Sequence, residues 1–160
     1  MNERIYKDIE KLLRETRRKL EKAWSIETGS NLTKETMKGR PASFGQCGTT
    51  CALLLPILKE MFPREFFSIA SGVIYSLKER RSLGGSHVWL VWYNGSPRDA
   101  MIMDITADQF DEISEPVIFD NVRSLGDNRG LVYSAGFMFS KNPSERAEKW
   151  AEILRKRVSA

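Results

Sequence analysis

The chain has 160 residues, of which 41% are hydrophobic and 29% charged, and its 25 basic and 21 acidic residues leave a net charge of +4. This length and composition predict one globular domain, residues 1–160, and exclude a disordered chain. The longest apolar run, residues 52–58, is too short to span a membrane, and the N-terminus lacks a signal-peptide apolar core, so we expect a cytoplasmic protein with no membrane partner. Because charges of both signs are intermixed, the basic excess does not predict a nucleic-acid partner.

Two helices and a long connection are predicted in the first third of the chain. Residues 3–24 carry apolar side chains at a 3.6-residue period, which predicts an amphipathic helix. Residues 28–43 are polar and predict a loop, long enough that it would line a site or move. Residues 49–61, opened by the segment 45–48, predict a helix apolar around most of its circumference, which therefore belongs in the middle of the domain. Pro56 inside it predicts a kink or a shorter first segment.

The remaining chain is rich in β-branched and aromatic residues. It predicts strands at 66–77, 87–93, 100–105 and 116–122, with a weaker candidate at 131–139.

Turn signals separate these strands. The charged segment 78–81, followed by Gly84 and Gly85, predicts a break between the first two strands, and the segment 94–97 predicts a hairpin loop before the third. The segment 106–109 predicts a helical turn capped by Thr106. A last helix is predicted at about 143–158.

Cys47, His87 and Asp104 follow one another in the order of a cysteine–histidine–carboxylate triad. Cys47 lies at a predicted helix start, where unpaired backbone N–H groups and the helix dipole stabilise a thiolate and can donate to an oxyanion. His87, the only histidine, begins a strand after two glycines and a serine, and Asp104 ends the next strand. Antiparallel neighbours can lie side by side, so Asp104 would orient the imidazole that takes the proton of Cys47.

The same residues have other interpretations. Cys47 can be a small buried hydrophobe, although the glycines around it would pack a core poorly. Cys51, one helical turn further on, is predicted to be core or a resolving thiol, and the two cysteines are expected to be free in a reducing cytosol because an i,i+4 helical pair does not fit disulfide geometry. Cys47, Cys51, His87 and Asp104 can also form a mixed zinc site, but they lack the paired spacings typical of zinc signatures.

Segments 45–47, 84–90 and 103–110 resemble the transglutaminase-like branch of the papain-like cysteine superfamily, in particular small bacterial and phage proteins with an Asp-x-Thr-Ala-Asp-Gln-Phe motif. The resemblance covers about residues 40–112. It implies an α+β fold whose core, about residues 40–122, has a central Cys-bearing helix on an antiparallel sheet, with flanking helices at about 3–24 and 143–158.

The resemblance places the nucleophile on Cys47, the base on His87 and the orienting carboxylate on Asp104. Ile105 stands where the family usually has proline, and no residue matches the family's side-chain oxyanion donor upstream of the cysteine. The residues considered for contacts to substrate or oxyanion are Gln46, Gly48, Trp89, Asp108 and Gln109, although Asp108 and Gln109 can instead simply close their turn.

The predicted function is thiol-dependent acyl chemistry, hydrolysis or transfer, at an amide or thioester carbonyl. The substrate would be a protein, a peptide or a small amide or thioester, and no cofactor is required. Two alternatives remain open. One is a non-catalytic binding protein on the same scaffold, whose basic outer helices contact a partner, and the other is the zinc-binding module described above.

Overall fold

The computed structural model describes residues 2–93, 95, 99–135, 139–140 (backbone only) and 142–159. The described residues form an α+β fold, as predicted. Its helices are α1 (Glu3–Glu21), α2 (Lys34–Met37), α3 (Cys47–Met61), α4 (Val122–Arg129) and α5 (Glu145–Val158). Its strands are β1 (Phe66–Ser76), β2 (Arg81–Tyr93), β3 (Met101–Asp104), β4 (Ile118–Asn121), β5 (Leu131–Ser134) and β6 (Phe139–Ser140).

The strands form one antiparallel sheet in the order β4-β3-β2-β1-β5, with β6 also paired to β1. Alternating side chains of β2 enter two different cores. Leu90 and Trp92 pack in a core with residues of α1, α3 and α5. Trp89 and Val91 pack on the opposite face, with residues of β5 and α4. This confirms the predicted two-residue alternation and places the sheet between a layer formed by α1, α3 and α5 and a second core that includes Leu125 of α4.

Helix α3 is central, as predicted, and begins at Cys47. It continues through the exposed Pro56 to Met61, so the predicted shorter first segment is wrong. Proline has no N–H to donate to the carbonyl four residues earlier, which here is that of Ala52. Arg155 of α5 donates to this carbonyl at 3.4 Å, so the partner that Pro56 cannot supply comes from a neighbouring helix.

Several boundaries differ from the predictions. Helix α1 ends at Glu21 rather than 24, and α2 lies within the predicted loop 28–43. Strand β2 starts at Arg81 and contains Gly84 and Gly85, because a bulge at the β1–β2 register shift holds these glycines within the strand.

Helix α4 was not predicted. It begins directly after β4, and the side chain of Asn121 caps it by accepting from the backbone N–H of Ser124 at 2.7 Å.

Two predictions fall partly outside the described part of the chain. The weak strand candidate 131–139 corresponds to β5 and the first residue of β6, and its residues 136–138 are not described. Three of the four residues of the predicted hairpin loop 94–97 are not described either. Among the helices that the structure describes, none combines the length and apolarity needed to cross a membrane.

Candidate active site

Cys47 is the first residue of α3 and is half-buried. The residue before it, Gln46, makes no side-chain capping bond to the helix. The backbone N–H groups of the first turn therefore receive no side-chain cap from Gln46, and they can donate hydrogen bonds to a negatively charged group at the helix start. Gly48 has no side chain beside Cys47. A Cβ added at Gly48 would have the Cβ of Ala147 as its nearest neighbour, at 3.8 Å.

Gln46 anchors the start of α3. Its side chain is fully buried, donates from Nε2 to the carbonyl of Ser25 at 2.9 Å, and accepts from the hydroxyl of Thr28 at 2.8 Å. Thr49 adds a hydrogen bond of 2.5 Å from its hydroxyl to the carbonyl of Thr28. Gln46, considered for a contact to substrate or oxyanion, thus anchors the start of α3 to the segment that precedes α2.

His87 joins Cys47 to Asp104. The imidazole is fully buried, and its Nε2 lies 2.7 Å from Oδ2 of Asp104. The charge of the same ring lowers the pKa of the Cys47 thiol. Asp104 thus occupies Nε2, while Nδ1 faces the side-chain amide of Gln109. Phe110 packs its edge against the imidazole, with 5.1 Å between ring centroids, which helps to fix the orientation of the ring.

Asp104 is held by four donors. Its Oδ1 accepts from the backbone N–H and the hydroxyl of Thr106 at 3.0 and 3.1 Å. Its Oδ2 accepts from His87 and from the hydroxyl of Tyr133 at 2.9 Å. The helical turn that Thr106 precedes is a 3-10 helix, Ala107–Gln109, as predicted, but the Thr106 hydroxyl bonds Asp104 and makes no side-chain capping bond, so that part of the prediction is wrong.

Tyr133 is the site residue that the sequence reasoning missed. It lies in β5, 29 residues beyond Asp104, and its ring packs edge-on against Trp89. Burial and the neighbouring Asp104 carboxylate raise the pKa of the phenol well above its usual value, so Tyr133 remains a hydroxyl donor. No local motif surrounds it that would have indicated this role.

The electrostatics of the triad favour a reactive thiol. Burial raises the pKa of Cys47, but the hydrogen bond and charge of His87, with a hydrogen bond from the Val88 backbone, outweigh it and lower the pKa below its usual value. Burial lowers the pKa of His87, but the charge and hydrogen bond of Asp104 outweigh it and raise the pKa. The buried Asp104 keeps a lowered pKa because its interaction with His87 exceeds the cost of burial.

Cys51 differs from Cys47 in every respect that matters for reactivity. It is buried among the apolar residues of α3, and burial raises the pKa of its thiol well above the usual value. Both cysteines are free, as expected. Cys51 therefore belongs to the core.

Asp108 is bound by the N-terminal helix. Arg17 of α1, which is 5% exposed, donates to both carboxylate oxygens of Asp108 at 2.7 Å and to the carbonyls of Ile105 and Pro116 at 2.6 and 3.1 Å. Asp108, considered for a substrate contact or for closing its turn, instead forms an ion pair that fastens the segment after Asp104 to α1. Trp89 is likewise buried under the triad, with its ring 6.0 Å from that of His87, instead of lining an open substrate surface.

Gln109, considered for a substrate contact or for closing its turn, lies beside His87. Its Nε2 lies 3.1 Å from Nδ1 of His87 and donates to the carbonyl of Thr106 at 3.1 Å. Its Oε1 accepts from the N–H of Gly45 at 3.5 Å.

Two cavities adjoin the residues around Cys47. One of about 530 Å³ is lined by residues of the segment 30–45, by Gly84, Gly85 and Ser86 of β2, and by Gln109. The other, of about 320 Å³, is lined by Gly48, Val88 and residues at the start of α5. Cys47 itself lines neither cavity; Gly45 and Gln109 line the first, and Gly48 lines the second.

The four residues considered for a zinc site are not assembled as one. Cys47, Cys51, His87 and Asp104 are all described, and within the described residues no three or more His, Cys, Asp or Glu side chains form a group that could hold a metal ion. The oxygens of Asp104 are instead directed at protein donors.

Comparison of the chain with protein-family models, curated proteins and solved structures finds no match. The assignment of chemistry to this site consequently depends on its geometry.

Proposed function

We propose that this chain is a cysteine-dependent acyl hydrolase or transferase acting on an amide or thioester carbonyl, of the transglutaminase-like branch of the papain-like superfamily. One observation carries the proposal: a buried hydrogen bond joins Asp104 to His87, and the charge of His87 lowers the pKa of a cysteine at the first position of a helix. A carboxylate, an imidazole and a thiol in that order are the components needed to activate a sulfur nucleophile.

The reaction follows from this arrangement. The Cys47 thiol transfers its proton to Nδ1 of His87, and the sulfur attacks the substrate carbonyl carbon. The carbonyl π electrons move to oxygen, and the N–H groups at the start of α3 stabilise the resulting oxyanion. When the oxyanion collapses, the bond to the leaving amine or thiol breaks and His87 returns the proton to that group. Water, or an acceptor amine, then cleaves the acyl–sulfur bond with His87 as the base. Asp104 holds the imidazole throughout and stabilises its positive charge.

The cavities support acyl chemistry. A carbonyl substrate has an acyl side and a leaving-group side, and of the two cavities one is lined in part by Gly45 and the other in part by Gly48.

The pH dependence of Cys47 alkylation by iodoacetamide tests the proposal. In the wild type we expect alkylation at neutral pH to exceed that of a free cysteine, because only the thiolate reacts and its pKa is lowered. In His87→Ala, burial of the thiol is no longer opposed, so the pKa should rise and the rate at pH 7 should fall by about tenfold or more, one pKa unit being a factor of ten.

Peptide mapping by mass spectrometry assigns the label, and Cys51→Ser is the matched control. Because Cys51 is buried with a raised pKa, its replacement should leave the labelling rate unchanged. An identical alkylation profile in wild type and His87→Ala would show that the three residues are an inactive remnant, as a binding protein on this scaffold would have.

A further inference from the structure

The contacts of Gln109 determine which way its side-chain amide points. The carbonyl of Thr106 can only accept, so the amide atom 3.1 Å from it is the nitrogen. The backbone N–H of Gly45 can only donate, so the atom 3.5 Å from it is the oxygen. These two contacts agree with each other, and they direct the Gln109 NH₂ group at Nδ1 of His87.

A donor facing Nδ1 and an acceptor facing Nε2 select one state of the imidazole. The nitrogen that receives the Gln109 N–H must carry a lone pair, and the nitrogen beside Asp104 must carry the proton. We propose that Gln109 is a positioning residue that favours the neutral tautomer of His87 with its proton on Nε2, and thereby opposes the transfer of the Cys47 proton to Nδ1 that Asp104 promotes.

The inference rests on the proposed function, because it concerns the same proton transfer. When the proton leaves the Cys47 sulfur and bonds to Nδ1, that nitrogen becomes a donor and can no longer accept from Gln109. Two N–H groups then face each other, so the Gln109 hydrogen bond is lost on forming the thiolate–imidazolium pair. Gln109 therefore favours thiol and neutral imidazole, whereas Asp104 favours the charged pair.

Few groups near His87 influence whether the Cys47–His87 pair is neutral or charged. The ionisable residues that act on it are Asp104 of β3 and Cys47 of α3, and Tyr133 of β5 acts through its bond to Asp104. The rings of Trp89 and Phe110, which pack against the imidazole, are uncharged. Gln109 is itself only 9% exposed, so water competes little for its amide.

The test uses ¹⁵N-histidine NMR, since the chain has a single histidine. The experiment is done in Cys47→Ala, which removes the thiol and with it the proposed reaction, so its outcome is separate from that of the alkylation test. We expect an unprotonated Nδ1 and a protonated Nε2 in the neutral ring. Replacing Gln109 by Met, an apolar side chain of similar length, should raise the proton affinity of His87 about fivefold to tenfold, as expected for the loss of one hydrogen bond to the neutral form.

Gln46→Met is the matched control, since it also removes a buried amide near Cys47 but one that bonds Ser25 and Thr28. It should leave the His87 titration unchanged. An unchanged or lower proton affinity in Gln109→Met, or an equal rise in the Gln46→Met control, would overturn the proposal. A neutral ring protonated on Nδ1 would overturn it as well, and that measurement needs no substitution at Gln109.

Discussion

Replacing Arg17 by Met should destabilise the protein by about 3 kcal/mol. The guanidinium is bonded to both oxygens of Asp108, to two backbone carbonyls and to Glu21, and it is almost fully buried. Removing one partner of a buried ion pair costs about 3–5 kcal/mol, because the other charge is left uncompensated. The Asp108 side chain keeps 16% of its exposure and hence some hydration, which places the expected cost at the lower end.

Urea unfolding at pH 7 measures this loss, and it should correspond to a fall in Tm of about 6–12 °C for a domain of this size. Arg18→Met is the matched control, since Arg18 is exposed on the same helix and its replacement should change stability by less than about 0.5 kcal/mol. Adding Asp108→Asn to Arg17→Met should recover part of the loss by removing the orphaned charge. Equal stabilities for the Arg17 and Arg18 variants would refute the claim that this ion pair fastens the segment after Asp104.

Two further substitutions test the support beneath the triad. Tyr133→Phe removes one donor to Asp104 and should cost about 1–2 kcal/mol of folding stability. A carboxylate with a lowered pKa contributes stability that is present above its unfolded pKa and is lost as pH falls through its folded pKa. Loss of the Tyr133 hydroxyl should therefore move the acid unfolding midpoint to higher pH, and an unmoved midpoint would contradict the assigned bond. Gly72→Ala would force a Cβ onto the carbonyl oxygen of Ser134 and should cost about 3 kcal/mol of stability, measured by thermal unfolding. Gly85→Ala is the control, since the space around Gly85 is open, and it should cost under about 0.5 kcal/mol. Equal losses in the two variants would count against the close approach of β1 and β5.

Local patterns were sufficient to predict much of the fold. The alternation along β2 divided its residues between two cores, and the glycines around Cys47 indicated a helix start. The order of Cys47, His87 and Asp104 also predicted the hydrogen-bonded pair of His87 and Asp104, because adjacent antiparallel strands bring such residues together.

Long-range partners could not be predicted in this way. Arg17 has the spacing of any polar residue on an amphipathic helix, and its partner Asp108 lies 91 residues away. Tyr133 likewise belongs to a short strand whose neighbour in the sheet, β1, is distant in sequence. Gln46 looked like a site residue because it precedes the cysteine, and only its contacts with Ser25 and Thr28 reveal its anchoring role.

The four donors on Asp104 have a consequence for how the protein is made. The donors come from three separate parts of the chain, and the last of them, Tyr133, lies in a strand near the C-terminal end. Synthesis proceeds from the N-terminus, so Cys47 and His87 emerge from the ribosome well before β5 can join the sheet. A nascent chain therefore carries the Cys47 thiol before the hydrogen bonds to Asp104 are complete. The thiol should reach its lowered pKa only after β5 has joined the sheet, which ties this pKa to the completion of folding.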